Sequence, residues 1–282
     1  MRPLSTRTAG FTDSVIRRMT RISNKYGAIN LSQGFPDFDP PKEITDRLAE
    51  IAPHGPHQYA ITWGAQNFRE ALAKKQSHFT GLDIDPDKHI VYAPHKHVYI
   101  STLPGMWERT ISCSSLSKTY SITGWRLGYV IAPERIIERV KKVHDFLTVG
   151  AAAPLMEAAT VGLCFPDSYY EGLQAHYTHM KHLFCGGLRQ FGLEFTDPEG
   201  AYYVMLDVSK YGVRDDLHFC EWLAEHVGVG AVPGSCFFKE DVHHLIRFHF
   251  AKCDETLQAA LDRLSSLDSK AKTYQCTEVN KI

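Results

Sequence analysis

The chain has 282 residues, 44% of them hydrophobic and 22% charged, which is ordinary for a soluble globular protein and long enough for two domains with separate cores. A formal net charge of -1 gives no electrostatic reason to expect nucleic acid or an anionic membrane as partner, and no apolar run approaches the length of a membrane span. The seven cysteines (Cys113, Cys164, Cys185, Cys220, Cys236, Cys253, Cys276) are scattered, odd in number and without a C-x-x-C pair, which fits a reducing, cytoplasmic location.

In chain order, Val15, Ile16, Met19 and Ile22 fall on one face at helical spacing and predict an arm helix packed on its own protein. Arg2, Arg7, Arg17, Arg18 and Arg21, with Asp13 as the only acid nearby, also suit a transit peptide. The arm ends at about residue 40 in Phe35-Pro36-Asp37-Phe38-Asp39-Pro40-Pro41, whose prolines stop any helix. Helical patterns follow over 42–51 and 65–78. Two apolar runs, 110–113 and 127–132, read as strands joined by a turn, and Pro133 is well placed to start a helix near Glu134. A long amphipathic helix is expected over 168–189, with Tyr169, Leu173, Tyr177, Met180, Phe184 and Leu188 as its stripe. Beyond Gly192, strands over 201–208 and 245–251 alternate with helices over 215–226 and 254–267, an α+β arrangement. Residues 268–282 are polar and aperiodic and read as a disordered tail. The domain expectation is an arm (1–40), a large domain (41–165), a small domain (166–267) and the tail (268–282).

The most informative stretch is Ser114-Ser115-Leu116-Ser117-Lys118-Thr119-Tyr120, with Arg126 eight residues after the lysine in Gly124-Trp125-Arg126-Leu127-Gly128. An amine attacks a carbonyl only when deprotonated, and a nearby cation or a dry pocket lowers its pKa toward neutrality. Arg126 can supply the first, and with the Ser115 hydroxyl it can grip a phosphate by charge-assisted hydrogen bonds. Together these features suggest a phosphate-bearing aldehyde, pyridoxal 5'-phosphate. Taken alone, Lys118 also reads as an exposed turn lysine. The S-x-x-K spacing further occurs in penicillin-binding proteins and serine β-lactamases, which additionally need Ser-Asp-Asn and Lys-Thr-Gly; neither tripeptide is present.

The order S-x-x-K, then R-x-G, resembles the lysine motif of class I/II, fold-type-I pyridoxal-phosphate aminotransferases. The resemblance extends to Ile29-Asn30-Leu31-Ser32-Gln33-Gly34-Phe35-Pro36-Asp37-Phe38, to Gln58-Tyr59 with Gly64 and Leu72 around Arg69-Glu70-Ala71, to the segment from Gly228 to Gly234, and to Leu245-Ile246-Arg247-Phe248. The wording is most similar to the kynurenine and methionine aminotransferase branch, with diaminopimelate-type enzymes close behind. One block is missing. The family's Asn-Pro-x-Asn-Pro-[Thr/Ser]-Gly and Asp-Glu-x-Tyr runs do not occur, and Asp87-Lys88-His89-Ile90 leads directly into Val91-Tyr92-Ala93-Pro94-His95. Roughly a hundred residues are absent between Ile90 and Tyr92 by the measure of what such a fold needs to hold its cofactor. The resemblance therefore implies an α/β fold: an incomplete fold-type-I large domain, three-layer αβα with central strands missing and apolar edges uncovered, followed by an α+β small C-terminal domain.

By the same resemblance, Lys118 bonds the cofactor aldehyde and shuttles the substrate α-proton. Ser115, Arg126 and, across a homodimer, Tyr59 hold the phosphate, while Gly34 and Arg247 hold the substrate carboxylate. Read without the family, Tyr59 is a core or rim aromatic and Gly34 a turn glycine. Strand alternation puts Arg247 on one face with Leu245 and His249, where a guanidinium is costly unless it meets a carboxylate, either a structural Asp or Glu or that of a substrate. His176, His179 and His182 spread around a helix as a solvated face, His243-His244 are adjacent loop residues, and Gly228, Gly230 and Gly234 lack dinucleotide-binding spacing. The expected function is transamination between an amino acid and a 2-oxo acid. The competing reading is a catalytically inactive product of the same lineage, and a minor alternative is pyridoxal-phosphate-dependent cysteine-conjugate β-lyase activity.

Overall fold

Apolar residues at helical spacing form α1 (Val15–Tyr26), in which Met19 is fully buried; it is followed by the short strand β1 (Ile29–Asn30). The computed structural model describes residues 14–61, 63–81, 99–148 and 150–279, so the expected seam at Ile90 and Tyr92 lies outside the described residues. The chain divides into two compact units, one made of residues 38–173 and the other of residues 1–37 with 174–282.

In the 38–173 unit, α2 (Lys42–Ile51) and α3 (Gln66–Thr80) pack against α5 (Ala153–Leu163), and between α3 and α5 in the chain come the hairpin β2 (Ser112–Ser115) and β3 (Gly128–Ile131) and the helix α4 (Glu134–Thr148). The sequence pattern does not mark α5. Ala153, Met156, Ala158, Ala159 and Leu163 are all buried, so the helix has too little polar face to show an amphipathic period. The strands pair antiparallel with Ser112 opposite Ile131 and Ser115 opposite Gly128, and among the described residues they are the whole sheet of this unit. Some apolar surface of this unit is exposed among the described residues. Ile111 and Val130 are exposed beside and on the ribbon, and no described residue of α4 is buried, with Phe146 91% and Leu147 75% exposed.

Lys75 on α3 is driven into this unit's core. Its ammonium donates to the hydroxyls of Tyr120 (2.9 Å) and Tyr170 and lies 3.6 Å from the Tyr170 ring centroid, while both phenols reach the Gly162 carbonyl at 2.9 and 3.0 Å. Burial is the main reason that its pKa falls to about 7, against weaker opposing attraction from Cys164 and Asp167.

Helix α6 (Asp167–Gln190) gives its first turns to the 38–173 unit and the rest to the other, where Met180, Phe184 and Leu188 of the expected stripe are fully buried. There follow β4 (Phe195–Thr196), β5 (Tyr203–Asp207), α7 (Asp216–Trp222) with a π-helical turn over Leu223–Val227, β6 (Val229–Gly230), β7 (Val232–Pro233), β8 (Leu245–His249) and α8 (Asp254–Leu264). The order β4-β5-β8-β7 is antiparallel throughout, and β1 pairs in parallel with β6. Alternation sorts the two faces: Val204, Leu206, Ile246 and Phe248 are fully buried, and Phe248 meets the ring of Phe184. On the opposite face Tyr203 lies across from His249 and Met205 across from Arg247.

Two expectations need correction. The segment read as a disordered tail forms α9 (Leu267–Val279), where Leu267, Ala271 and Tyr274 recur on one helical face and are buried, and Tyr274 packs against Phe219 and Trp222. Three apolar residues in a polar segment are a weak period, but the pocket they fill is tertiary. His243 is more than a loop residue: it reaches Asp216 on α7 at 3.2 Å and Asp241 at 2.9 Å, and the Asp216 bond chiefly raises its pKa. Of the α6 histidines, His179 pairs with Asp254 at 2.8 Å.

Because the folded pKa of Lys75 lies below its unfolded value, the unfolded chain binds more protons between about pH 7 and pH 10, and stability rises with pH across that window. One proton corresponds to a slope of at most ~1.4 kcal/mol per pH unit. Urea unfolding at several pH values is expected to show Lys75→Met as more stable than the unsubstituted chain at pH 7, with the difference shrinking toward pH 9. A pH-independent difference would mean that Lys75 stays protonated in the fold.

Candidate active site

The turn between β2 and β3 gathers the lysine motif. Ser117 is buried and its backbone N–H donates to Ser115 Oγ (3.1 Å), which also lies 2.8 Å from Ser117 Oγ. Lys118 Nζ donates to Thr123 Oγ1 at 3.2 Å, and that hydroxyl donates to the Ser117 carbonyl at 3.2 Å. Arg126 sits in the left-handed region at φ 58° and its Nη1 donates to the Thr123 carbonyl at 2.9 Å. Ser121 shares the left-handed geometry at φ 55°, so two residues with side chains in a conformation costing on the order of 1 kcal/mol or more each lie within one turn. The glycine of R-x-G has a steric reason: a Cβ on Gly128 would sit 2.7 Å from the Ser114 carbonyl across the hairpin.

The electrostatics suit an amine nucleophile. Burial lowers the pKa of Lys118, and the nearby Arg126 charge lowers it further. Ser115 and Arg126 are exposed, with a hydroxyl and a guanidinium available to an anion. Tyr59, in the same unit, is 84% exposed and makes no hydrogen bond among the described residues.

Gly34 and Arg247 both lie against Tyr203 in the other unit. A Cβ on Gly34 would meet the Tyr203 hydroxyl and lie 2.9 Å from its ring, so only glycine allows this approach. Arg247 is sandwiched, its guanidinium carbon 4.2 Å from the Tyr203 ring centroid and 4.1 Å from that of Phe237. Its Nε is buried without a hydrogen-bond partner, it pairs with no carboxylate among the described residues, and burial lowers its pKa. No described Asp or Glu meets it.

A family profile described as "Aminotransferase class I and II" matches residues 89–264. The chain belongs to that family. It is 26% identical to the methionine aminotransferase of Escherichia coli, over 90% of this chain and 96% of the relative. It is 31% identical to a kynurenine–oxoglutarate transaminase of Dictyostelium discoideum, over 72% of this chain but only 52% of the relative. The crystal structure of the Escherichia coli methionine aminotransferase superposes with a TM-score of 0.86 at 26% identity, covering 94% of this chain and 100% of the other, so the fold is that of a fold-type-I aminotransferase. Ninety per cent of 282 residues is about 254, so the 369-position alignment leaves roughly 115 positions of the methionine aminotransferase opposite no residue of this chain. That is close to the block missing from the motifs.

Family membership implies pyridoxal 5'-phosphate as cofactor, and the turn between β2 and β3 fits it: an amine of lowered pKa, two hydroxyls and a guanidinium are the donors a phosphorylated aldehyde requires. Sequence reasoning found Lys118, Ser115 and Arg126 but not Thr123, whose hydroxyl seats the amine. It also missed Tyr203 and Phe237, whose rings flank Arg247. Aromatic residues beside and across from a strand arginine were visible in the sequence, but their register was not.

Proposed function

We propose that this chain binds pyridoxal 5'-phosphate through Lys118 and serves transamination between an α-amino acid and a 2-oxo acid. The observation that carries the reading is the β2–β3 turn, where Lys118, Ser115, Thr123 and Arg126 converge with the amine already biased toward its neutral form. The bound cofactor would supply the carbonyl and the electron sink. The protein's part is to present Lys118 Nζ as nucleophile and then as the base that takes the α-proton, to hold the phosphate with Ser115 and Arg126, and to orient the substrate carboxylate on Arg247. A bidentate guanidinium fixes the carboxylate plane, which a lysine would not do, and Gly34 leaves room beside Tyr203. In this reading the protein is a cytoplasmic homodimer, with the exposed Tyr59 reaching the phosphate held by a second subunit.

A second reading, the same site without useful turnover, is favoured by the two-stranded sheet of the 38–173 unit and by the unmatched positions in the alignment. The sequence also lacks the Asp-Glu-x-Tyr run from which the family resemblance would draw the acid for the cofactor ring nitrogen, and a single preorganised electrostatic contact is worth on the order of a hundredfold in rate.

Borohydride reduction of the cofactor-loaded chain followed by peptide mapping is expected to recover the label on Lys118; recovery on another lysine overturns the assignment. In the loaded chain, Arg247→Ala should weaken amino-acid binding by about 2 to 5 kcal/mol with cofactor affinity nearly unchanged. Unaltered amino-acid affinity with lost folding stability would make Arg247 structural. Assay of purified, monodisperse chain against a panel of amino donors with 2-oxoglutarate and pyruvate separates the two readings. Turnover below detection is expected if the missing strands position Lys118, and robust turnover would show that other residues fill those roles.

A further inference from the structure

Phe237, whose ring centroid lies 4.1 Å from the Arg247 guanidinium carbon, directly follows a tight turn. Beyond β7 the chain makes one tight turn over Gly234–Cys236, closed by the Phe237 N–H donating to the Gly234 carbonyl at 2.8 Å. On one side the turn is seated on β8, since a Cβ on Gly234 would lie 2.5 Å from the Leu245 carbonyl. On the other side it is held by a buried carboxylate. Asp216 is 1% exposed; its Oδ2 accepts the Ser235 N–H at 2.7 Å, its Oδ1 accepts the Ser235 hydroxyl at 3.0 Å, and the same Oδ1 lies 3.2 Å from His243 Nδ1.

Asp216 stands at the first position of α7, but it is not the cap of that helix. Asp215 does that work, accepting the His218 N–H at 3.0 Å. Every side-chain bond of Asp216 goes instead to the 235–243 segment. A buried carboxylate is tolerated only where such partners satisfy it, and the same strong, directional bonds fix where those partners stand. The residue after Cys236 in this clamped segment is the one that stacks on Arg247.

We propose that Asp216 is a positioning residue for Arg247: through Ser235 and His243 it fixes the turn that lays Phe237 over the guanidinium opposite Tyr203, and so holds the fork in one orientation for a carboxylate. The functional half rests on the reading of Arg247 as the carboxylate-binding residue; the geometric half stands apart from it.

The Arg247 Nε–H reports on both halves. In the ¹⁵N-labelled chain it is identified by its loss in Arg247→Lys, and between two aromatic faces it is expected upfield of the other arginine Nε–H signals and slow to exchange. Phe237→Ala, Ser235→Ala and Asp216→Asn are each expected to move it toward the ordinary arginine position and speed its exchange about tenfold, a loss of ~1.4 kcal/mol of protection. Ser235→Thr, which keeps the hydroxyl, should leave it in place. Unchanged backbone amide signals across β5 and β8 distinguish this displacement from unfolding, and if Asp216→Asn does not fold, Ser235→Ala at its partly exposed position decides. A signal that moves in Phe237→Ala but in neither Ser235→Ala nor Asp216→Asn overturns the positioning role. Titration of the unsubstituted chain with 2-oxoglutarate should shift the same resonance, and the absence of any shift at saturating concentration overturns the carboxylate role of Arg247 while leaving the first result to stand on its own.

Discussion

Taking a cation out of water weakens its charged form, and most of what this chain can do depends on how it accommodates that cost at Lys75, Lys118 and Arg247. At Lys75 two phenol hydroxyls and a ring face meet the ammonium, which joins α3 to Tyr120 in the β2–β3 turn and Tyr170 on α6. The partial loss of charge there is a structural compromise. At Lys118 the same desolvation, with Arg126 beside it, lowers the amine's pKa while its Nζ donates to the Thr123 hydroxyl. At Arg247 deprotonation is out of reach, so two aromatic faces stabilise the charge, and its buried Nε–H has no hydrogen-bond partner among the described residues.

The sequence made legible those elements whose signal is local. The bounds of α2 and the start of α4 after Pro133 follow from proline chemistry and period, and α6 shows its stripe because one face is buried along most of its length. The alternation of β5 and β8 correctly placed Arg247 on the face opposite Ile246 and Phe248. What stayed hidden depends on distant partners. Helix α5 is too apolar to have a face, and α9 is too polar to look like a helix until Tyr274 finds Phe219 and Trp222. No local signal marks Asp216, and only the fold reveals that its carboxylate belongs to a turn nineteen residues away.

The site itself divides along the same line. Lys118, Ser115 and Arg126 lie within twelve residues of one another on a single hairpin, so their spacing carries the chemistry before any fold is known. Strand pairing of Ser115 with Gly128 then converts that spacing into proximity, and the absence of a Cβ at Gly128 permits the close crossing. Gly34 and Arg247 are more than two hundred residues apart, and Tyr203 brings them together by filling the space that a side chain at position 34 would take. No local pattern encodes such a contact.

The hairpin bearing Lys118 is also the part of the chain with least support. In a wider sheet, neighbouring strands would satisfy both edges of β2 and β3 and helices would cover their faces; here the described sheet is two strands wide and Val130 points into solvent. Helix α4 shows the same deficit from the other side, since Val143, Phe146 and Leu147 follow an amphipathic pattern made for a partner but remain exposed. The turn between the strands is internally well bonded through Ser115, Ser117 and Thr123, and Leu116 and Tyr120 anchor it in the core of α3, α5 and α6. Among the described residues the lysine motif is thus held at its turn rather than along its strands, which keeps Ser115, Ser117 and Thr123 bonded to one another but gives the ribbon itself little support. Cofactor capture tolerates such looseness better than proton transfer does, because transfer falls off steeply once the reacting atoms leave near-attack distance. Under the aminotransferase reading proposed above, a ribbon supported in this way bears more on proton transfer than on cofactor capture.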